Sequence, residues 1–170
     1  LVAFFTHALT SALVLFAGLT QFSRTIQTQY PKIHRWMGRL YVFNILWITG
    51  PAGFIMAFYA NGGWTSRVAF MILSVLWWYT TWMAYRAIKN RRVSEHYKWI
   101  IYSFALTLSA ITLRLWKMFF AYTLALPPMD IYRIVAWLGF IPNLIFAFFW
   151  IRQHQLSKIS TPSKPHSRTD

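Results

Sequence analysis

The sequence predicts an all-α protein, a polytopic transmembrane helical bundle of five spans with its N-terminus outside and its C-terminus cytoplasmic. Three observations carry this. Hydrophobic residues make up 57% of the 170, aromatics 20% and charged residues only 12%, which is the composition of the membrane class. Apolar runs long enough to cross a hydrocarbon core about 30 Å thick recur between short polar stretches. The cations of those polar stretches gather in alternate connections, an asymmetry that orients a multi-span chain.

The first span is residues 1–22, apolar except for small or hydroxyl residues and His7. It has no basic leading region and exceeds a signal-peptide core in length. The chain opens on Leu1 rather than Met, so a preceding piece is expected. In the basic stretch that follows, Pro31 disfavours helix at Tyr30 and suits the first turn of the next helix. The second span is residues 40–60, with Asn44 inside and a kink expected at Gly50-Pro51. Asn61-Gly62-Gly63 reads as a tight turn. Residues 65–88 form the third span, rich in tryptophan (Trp77, Trp78, Trp82).

The fourth span, residues 95–117, organises the chain. At 1.5 Å per residue Arg114 lies roughly 26 Å beyond Tyr97, near the far side of the hydrocarbon core. Leu126-Pro127-Pro128 ends this span, and residues 131–151 form the fifth, with Pro142-Asn143 inside. Residues 1–151 thus form a five-helix membrane domain. Residues 152–170 form a polar cytoplasmic tail, expected to be disordered beyond Ser160.

Arg24, Lys32, Arg35 and Arg39 follow the first span; Arg86, Lys89, Arg91, Arg92 and Lys98 follow the third; Arg152, Lys158, Lys164 and Arg168 lie in the tail. With five spans all of these share one side, against Arg67 and Arg133 in the connections opposite. The rule that positive charge stays inside therefore puts the C-terminus in the cytoplasm.

Several chemistries are excluded. The absence of Cys removes disulfides, thiolate metal sites, iron–sulfur clusters and thiol nucleophiles. Seventeen Lys and Arg face only Glu95, Asp130 and Asp170. That balance does not indicate nucleic acid, because no soluble domain carries a reading surface. Anionic lipids, an anionic cofactor or an acidic partner subunit are the expected counterparts. Glu95 is the sole acid near a histidine, so paired-carboxylate catalysis has no second member. No glycine-rich phosphate loop, HExxH pair or serine elbow occurs.

The candidate site residues are the ionisable ones at membrane depth or at its edge. His34 and His96 open two parallel spans in the same leaflet, each with aromatic and basic neighbours: Arg35, Trp36 and Arg39 beside one, Lys98 and Trp99 beside the other. Interfacial anchoring explains the neighbours, which read as lipid or partner contacts. Two histidines on parallel helices also form a candidate cofactor pair. His154 and His166 in the tail read as solvated. His7 reaches the depth of Arg114 from the antiparallel first span, and Lys117 and Asn143 fall in the same layer. Lys117 reads as snorkelling outwards to a lipid or partner contact. Arg114 is expected to turn into the bundle, bonded to Asn143 or to carbonyls freed near Pro142.

The runs HALTSALVLFAGLTQF, YPKIHRWMGRLYVF, AFMILSVLWWYTTWMAYRAIKNRRVSEHYKWIIYSFALTLSAITLRLW and AWLGFIPNLIFAFFWIR resemble a family of bacterial predicted membrane proteins, domain of unknown function 2306. The motifs carrying the resemblance are His7 with Gln21-Phe22, His34 with Gly38-Arg39 and Tyr41, His96 with Trp99, Leu113-Arg114, and Trp137 with Pro142-Asn143. Tyr97-Lys98 and Phe148 depart from the pattern, the latter where an acid is common. The resemblance implies a multi-span helical protein and supplies no established activity; the expected location is the bacterial inner membrane.

Two functional readings follow. One is an accessory subunit that packs lipid and partner transmembrane helices, without a complete catalytic set. The other is an electron-transfer module binding b-type haem through His34 and His96, with a His7/Arg114 layer for a quinone or second haem.

Overall fold

The computed structural model describes residues 2–123 and 127–159. The first span is one helix, α1 (Val2–Gln21), and a short α2 (Arg24–Gln29), capped by the Ser23 hydroxyl on the Ile26 N–H, lies in the connection after it. The second span is composite: α3 (Pro31–Asn44), a π-helical segment (Ile45–Thr49) and α4 (Gly50–Ala57). The third is the single helix α5 (Trp64–Lys89). The fourth divides at Leu108 into α6 (Val93–Thr107) and α7 (Ser109–Thr123), and the fifth at Gly139-Phe140 into α8 (Pro128–Leu138) and α9 (Ile141–Ile159). Five stretches are therefore long and apolar enough to cross a membrane, and no strand occurs among the described residues.

Several bounds differ from expectation. The second span starts nine residues earlier, at Pro31 rather than residue 40. The basic run there is the first turns of the helix, which Pro31 opens because the first helical position needs no N–H. The fourth span reaches Thr123 and the last helix continues past residue 151 to Ile159. The rest of the tail, from residue 160, and its expected disorder lie outside the described residues, as does Leu126 of the expected diproline stop.

The expected kink at Gly50-Pro51 takes the form of the π segment just before it. Pro51 has no N–H, so the carbonyl one turn earlier lacks its usual donor. The ladder slips by one residue instead, and the Gly50 N–H bonds the Ile45 carbonyl. In the turn before α5, Gly62 and Gly63 take φ values of 88° and 75°, a left-handed backbone that a Cβ would strain. Arg133 of α8 holds this turn, its Nε donating to the Gly62 carbonyl at 3.0 Å while its Nη1 meets Asp130 at 3.0 Å.

Long α5 is central, packing along α6 and against α4 and α8. α1 lies against α3 and α4, α9 against α6, and α7 leans on α8. The shared core is built from Val14, Tyr41, Ile45, Trp77 and Leu106, with small residues Ala17, Ala69, Ala84 and Ala136 where backbones approach. In lipid, helices gain nothing by hiding apolar surface from each other, so small residues and interhelical hydrogen bonds hold the bundle. Gly18 shows how close the approach is: a Cβ there would stand 2.7 Å from the Phe104 ring. The N-terminus and the 58–63 turn share one end of the bundle, and α2, the 90–92 turn and α9 end at the other, the basic end.

Candidate functional site

Polar side chains inside the bundle fall into layers. At the basic end, His96 in the first turn of α6 places Nδ1 2.9 Å from the Ala84 carbonyl of α5. A carbonyl can only accept, so Nδ1 carries a proton, and in the neutral ring the lone pair is then on Nε2. His34, in the first turn of α3, lies within electrostatic range of His96. Its backbone carbonyl accepts from Gln21 Nε2 at 3.3 Å, and its Nδ1 is buried with no partner among the described residues. The structure thus brings His34 and His96 to one end without a bond between them.

The middle layer is closed. Thr81 donates to the Trp77 carbonyl (2.7 Å), so the Ser103 hydroxyl, 2.7 Å away, donates to Thr81. Thr107 donates to the Ser103 carbonyl (3.1 Å) and accepts from the Trp77 indole (3.0 Å). The fully buried Tyr41 hydroxyl then donates to Thr107 (2.8 Å) or Ser103 (2.9 Å). Each of these donors has an acceptor, and the layer joins α3, α5 and α6. Only Tyr41 among these stood in a recognised motif. The signal for the rest was the i, i+4 hydroxyl pair Ser103/Thr107 inside an apolar run.

Nearer the N-terminal end, His7 Nδ1 lies 3.0 Å from the Thr49 carbonyl of the π segment. The Thr49 hydroxyl meets Thr10 at 2.8 Å and Asn44 at 2.6 Å. Gly53 makes room for the imidazole, since a Cβ there would stand 2.9 Å from His7 Cε1. His7 therefore joins α1 to the second span.

Asn143 is occupied elsewhere, its Nδ2 donating to Thr112 (2.9 Å), the Ala105 carbonyl (3.1 Å) and the Gly139 carbonyl (3.3 Å). It ties the break in the fourth span to the break in the fifth. Arg114 does not reach it. Its Nη1 donates at 2.7 Å to Ala110, one turn back on its own helix, and the side chain is exposed. Its charge comes within electrostatic range of His7.

The remaining candidates lie at the rims. Arg35, Trp36 and Arg39 are exposed along one face of α3. Trp99 is half-buried, edge-on to Tyr79 at 5.6 Å, with the Lys98 ammonium 5.8 Å from its ring. Lys98 and Arg152 flank a groove between α6 and α9 lined by Tyr102, Phe148 and Ile151. Lys117 finds the Tyr132 ring at 5.9 Å. Among the described residues no group of three or more His, Asp or Glu converges to hold a metal ion.

These helices and layers define a multi-pass membrane protein whose internal polar groups chiefly join helices. A family model for predicted membrane proteins, DUF2306, matches residues 4–151, and the chain belongs to that family. No curated protein and no solved structure matches it.

Proposed function

We propose that the chain is a small accessory subunit of a larger complex in the bacterial inner membrane, N-terminus outside and C-terminus cytoplasmic, packing lipid and partner helices. One observation carries the reading: most internal polar side chains of α1, α3, α5, α6 and α9 close on one another or on backbone, Ser11, His34 and Ser66 being exceptions, while α1 and α7 turn apolar faces outwards. Phe4, Leu9, Leu13 and Phe16 are exposed on α1, and Leu115, Met118 and Phe119 on α7. The basic end, with Arg35, Arg39 and Lys98, suits anionic lipid head groups, each cation near the surface contributing about 1 kcal/mol. The test is native electrophoresis of the tagged chain solubilised mildly from its own membranes. Migration within a larger assembly is expected; migration as the single chain with bound detergent would remove the reading.

A second reading is favoured by the basic-end histidines. His96 has the tether typical of ligating histidines, Nδ1–H on a carbonyl with Nε2 left for a metal. His34 offers a buried, unpartnered nitrogen nearby. Two imidazoles are the donor type that b-type haem takes, with Arg35, Arg39 and Lys98 at the same end for its propionates; when bound, haem would supply one-electron transfer. The chain's own part would be to hold the His96 tautomer through Ala84. A reduced-minus-oxidised spectrum of the purified protein tests it: b-type bands lost in His96→Ala support it, and a featureless spectrum from haem-supplemented cells rules it out.

A further inference from the structure

Arg114 and Lys117 are one turn apart on α7, yet they are differently provided for. Lys117 has its ammonium over the Tyr132 ring of α8, 5.9 Å from its centre. Arg114 reaches back along its own helix to the Ala110 carbonyl. Helix side chains lean towards the helix N-terminus, and α7 begins just after Leu108, the middle residue of the 31-residue span Val93–Thr123. With that span centred in the membrane, Arg114 has its Cα about 9 Å from the midplane and its guanidinium acceptor Ala110 about 3 Å from it. The edge of the hydrocarbon lies about 15 Å out. This guanidinium is directed inwards, the reverse of snorkelling.

It has five N–H donors and is always charged, yet among the described residues its one hydrogen bond is to its own helix. The acids at the faces are engaged: Glu95 with Arg92 at 3.6 Å and Asp130 with Arg133 at 3.0 Å. Leu113 faces α8, its Cβ 3.0 Å from where a Cβ on Gly139 would stand. Opposite, Ile111, Leu115, Met118 and Tyr122 repeat at helical spacing and are exposed. Arg114 borders this stripe, and α7 buries only Ser109.

Resting on the accessory-subunit reading, we propose that this stripe of α7 is the docking face for a partner's transmembrane helix, and that Arg114 receives a carboxylate from within that helix. Depth selects this anion. A lipid phosphate stands at the hydrocarbon edge, on the side away from which the guanidinium points, whereas an Asp or Glu on a packed helix arrives at the required level. Arg–carboxylate pairs are bidentate and strong where water is scarce. Among the described residues a second copy offers no such carboxylate, because Glu95 and Asp130 lie in the first turns of α6 and α8, at the faces.

The probe is a synthetic leucine–alanine transmembrane helix with one central Asp, compared with the same helix carrying Leu there. Association with the full chain is read by energy transfer in phosphatidylcholine vesicles. The Asp helix is expected to bind at least about tenfold tighter, with the preference lost in Arg114→Gln and reduced in Arg114→Lys, which keeps the charge without the fork. Among the described residues Arg114 bonds only its own helix, so these variants retain the bundle. Equal binding of the two helices overturns the proposal, as does a preference abolished by added phosphatidylglycerol, which would make lipid phosphate the ligand. In native membranes, a photoreactive residue at Leu115 separates the two ideas. Cross-links to a partner span that persist undiminished in Arg114→Gln defeat the carboxylate pairing and leave the accessory role standing. Cross-links to lipid alone defeat both.

Discussion

The indole of Trp78 donates its N–H to the Leu46 carbonyl at 3.0 Å. It also lies 3.2 Å from the Ile45 carbonyl, so one side chain of the third span serves the π segment of the second. A wider turn loosens the helix ladder and leaves carbonyls under-bonded, which is costly where no water can replace the donor. Gly50 lets the ring approach, since a Cβ there would come within 2.7 Å of the indole nitrogen.

Trp78→Phe keeps most of the ring volume and removes the donor. We expect it to destabilise the protein by about 1 kcal/mol, measured by thermal unfolding in detergent. Gly50→Ala should cost more, about 1–3 kcal/mol, because it overpacks the joint. The two should be non-additive because they act on one contact. Strict additivity would mean that the indole does not hold the π segment.

The proton count of the middle layer predicts an order. Tyr41 gives one hydrogen bond and is not needed as an acceptor, so Tyr41→Phe strands no donor and should cost about 1 kcal/mol. Thr107→Val keeps the shape but leaves the buried Trp77 N–H, now 3.0 Å from its acceptor, without one. That substitution should cost about 1–3 kcal/mol. Unfolding midpoints that place Tyr41→Phe below Thr107→Val would contradict the assignment of donors.

The spans were legible because length and apolarity are properties of a run of residues. Their irregularities were legible only where proline marked them. Pro51 located the disturbance in the second span but not the slipped hydrogen bond that accommodates it. The break at Leu108 contains neither Pro nor Gly and had no local sign. His7 and His96 stood out as candidates, but their partners, the carbonyls of Thr49 and Ala84, are backbone groups that any residue carries. Arg114 was expected on Asn143 or on carbonyls freed near Pro142, and it is on neither. The carbonyl one turn back on its own helix needs no second helix to be placed, and Thr112 with the Ala105 and Gly139 carbonyls already occupies the Asn143 amide.

Arg91, between α5 and α6, has φ 59°, the one positive value on a described residue other than glycine. The Arg92 N–H reaches back to the Ala87 carbonyl at 2.9 Å, closing the end of α5 in the manner that favours glycine at this position. For an L-residue the left-handed backbone costs roughly 1–2 kcal/mol. Arg91→Gly should therefore raise the unfolding midpoint, whereas Arg91→Val should lower it. A fall with Gly would mean that the arginine side chain contributes more than the strain removes.

The last prediction concerns direction across the membrane. The turns at Asn61 and Asn90 are exposed and lie at opposite ends of α5. Cations crowd the Asn90 end, where Arg86, Lys89, Arg91 and Arg92 are neighbours, while Arg67 lies near the other. Moving such a cluster outwards opposes both the membrane potential and the attraction of anionic lipid on the cytoplasmic side. The chain contains no cysteine, so single cysteines report without a background. Asn61→Cys should react with a membrane-impermeant maleimide in intact cells, and Asn90→Cys only after the membrane is opened. Both substitutions fall in turns outside the buried layers, so folding is retained and the labelling pattern is decisive. Labelling of Asn90→Cys alone in intact cells would invert the orientation and place the His34/His96 end, with its exposed cations, outside. Labelling of both would mean that α5 does not cross the membrane, and the five-span bundle itself would fall.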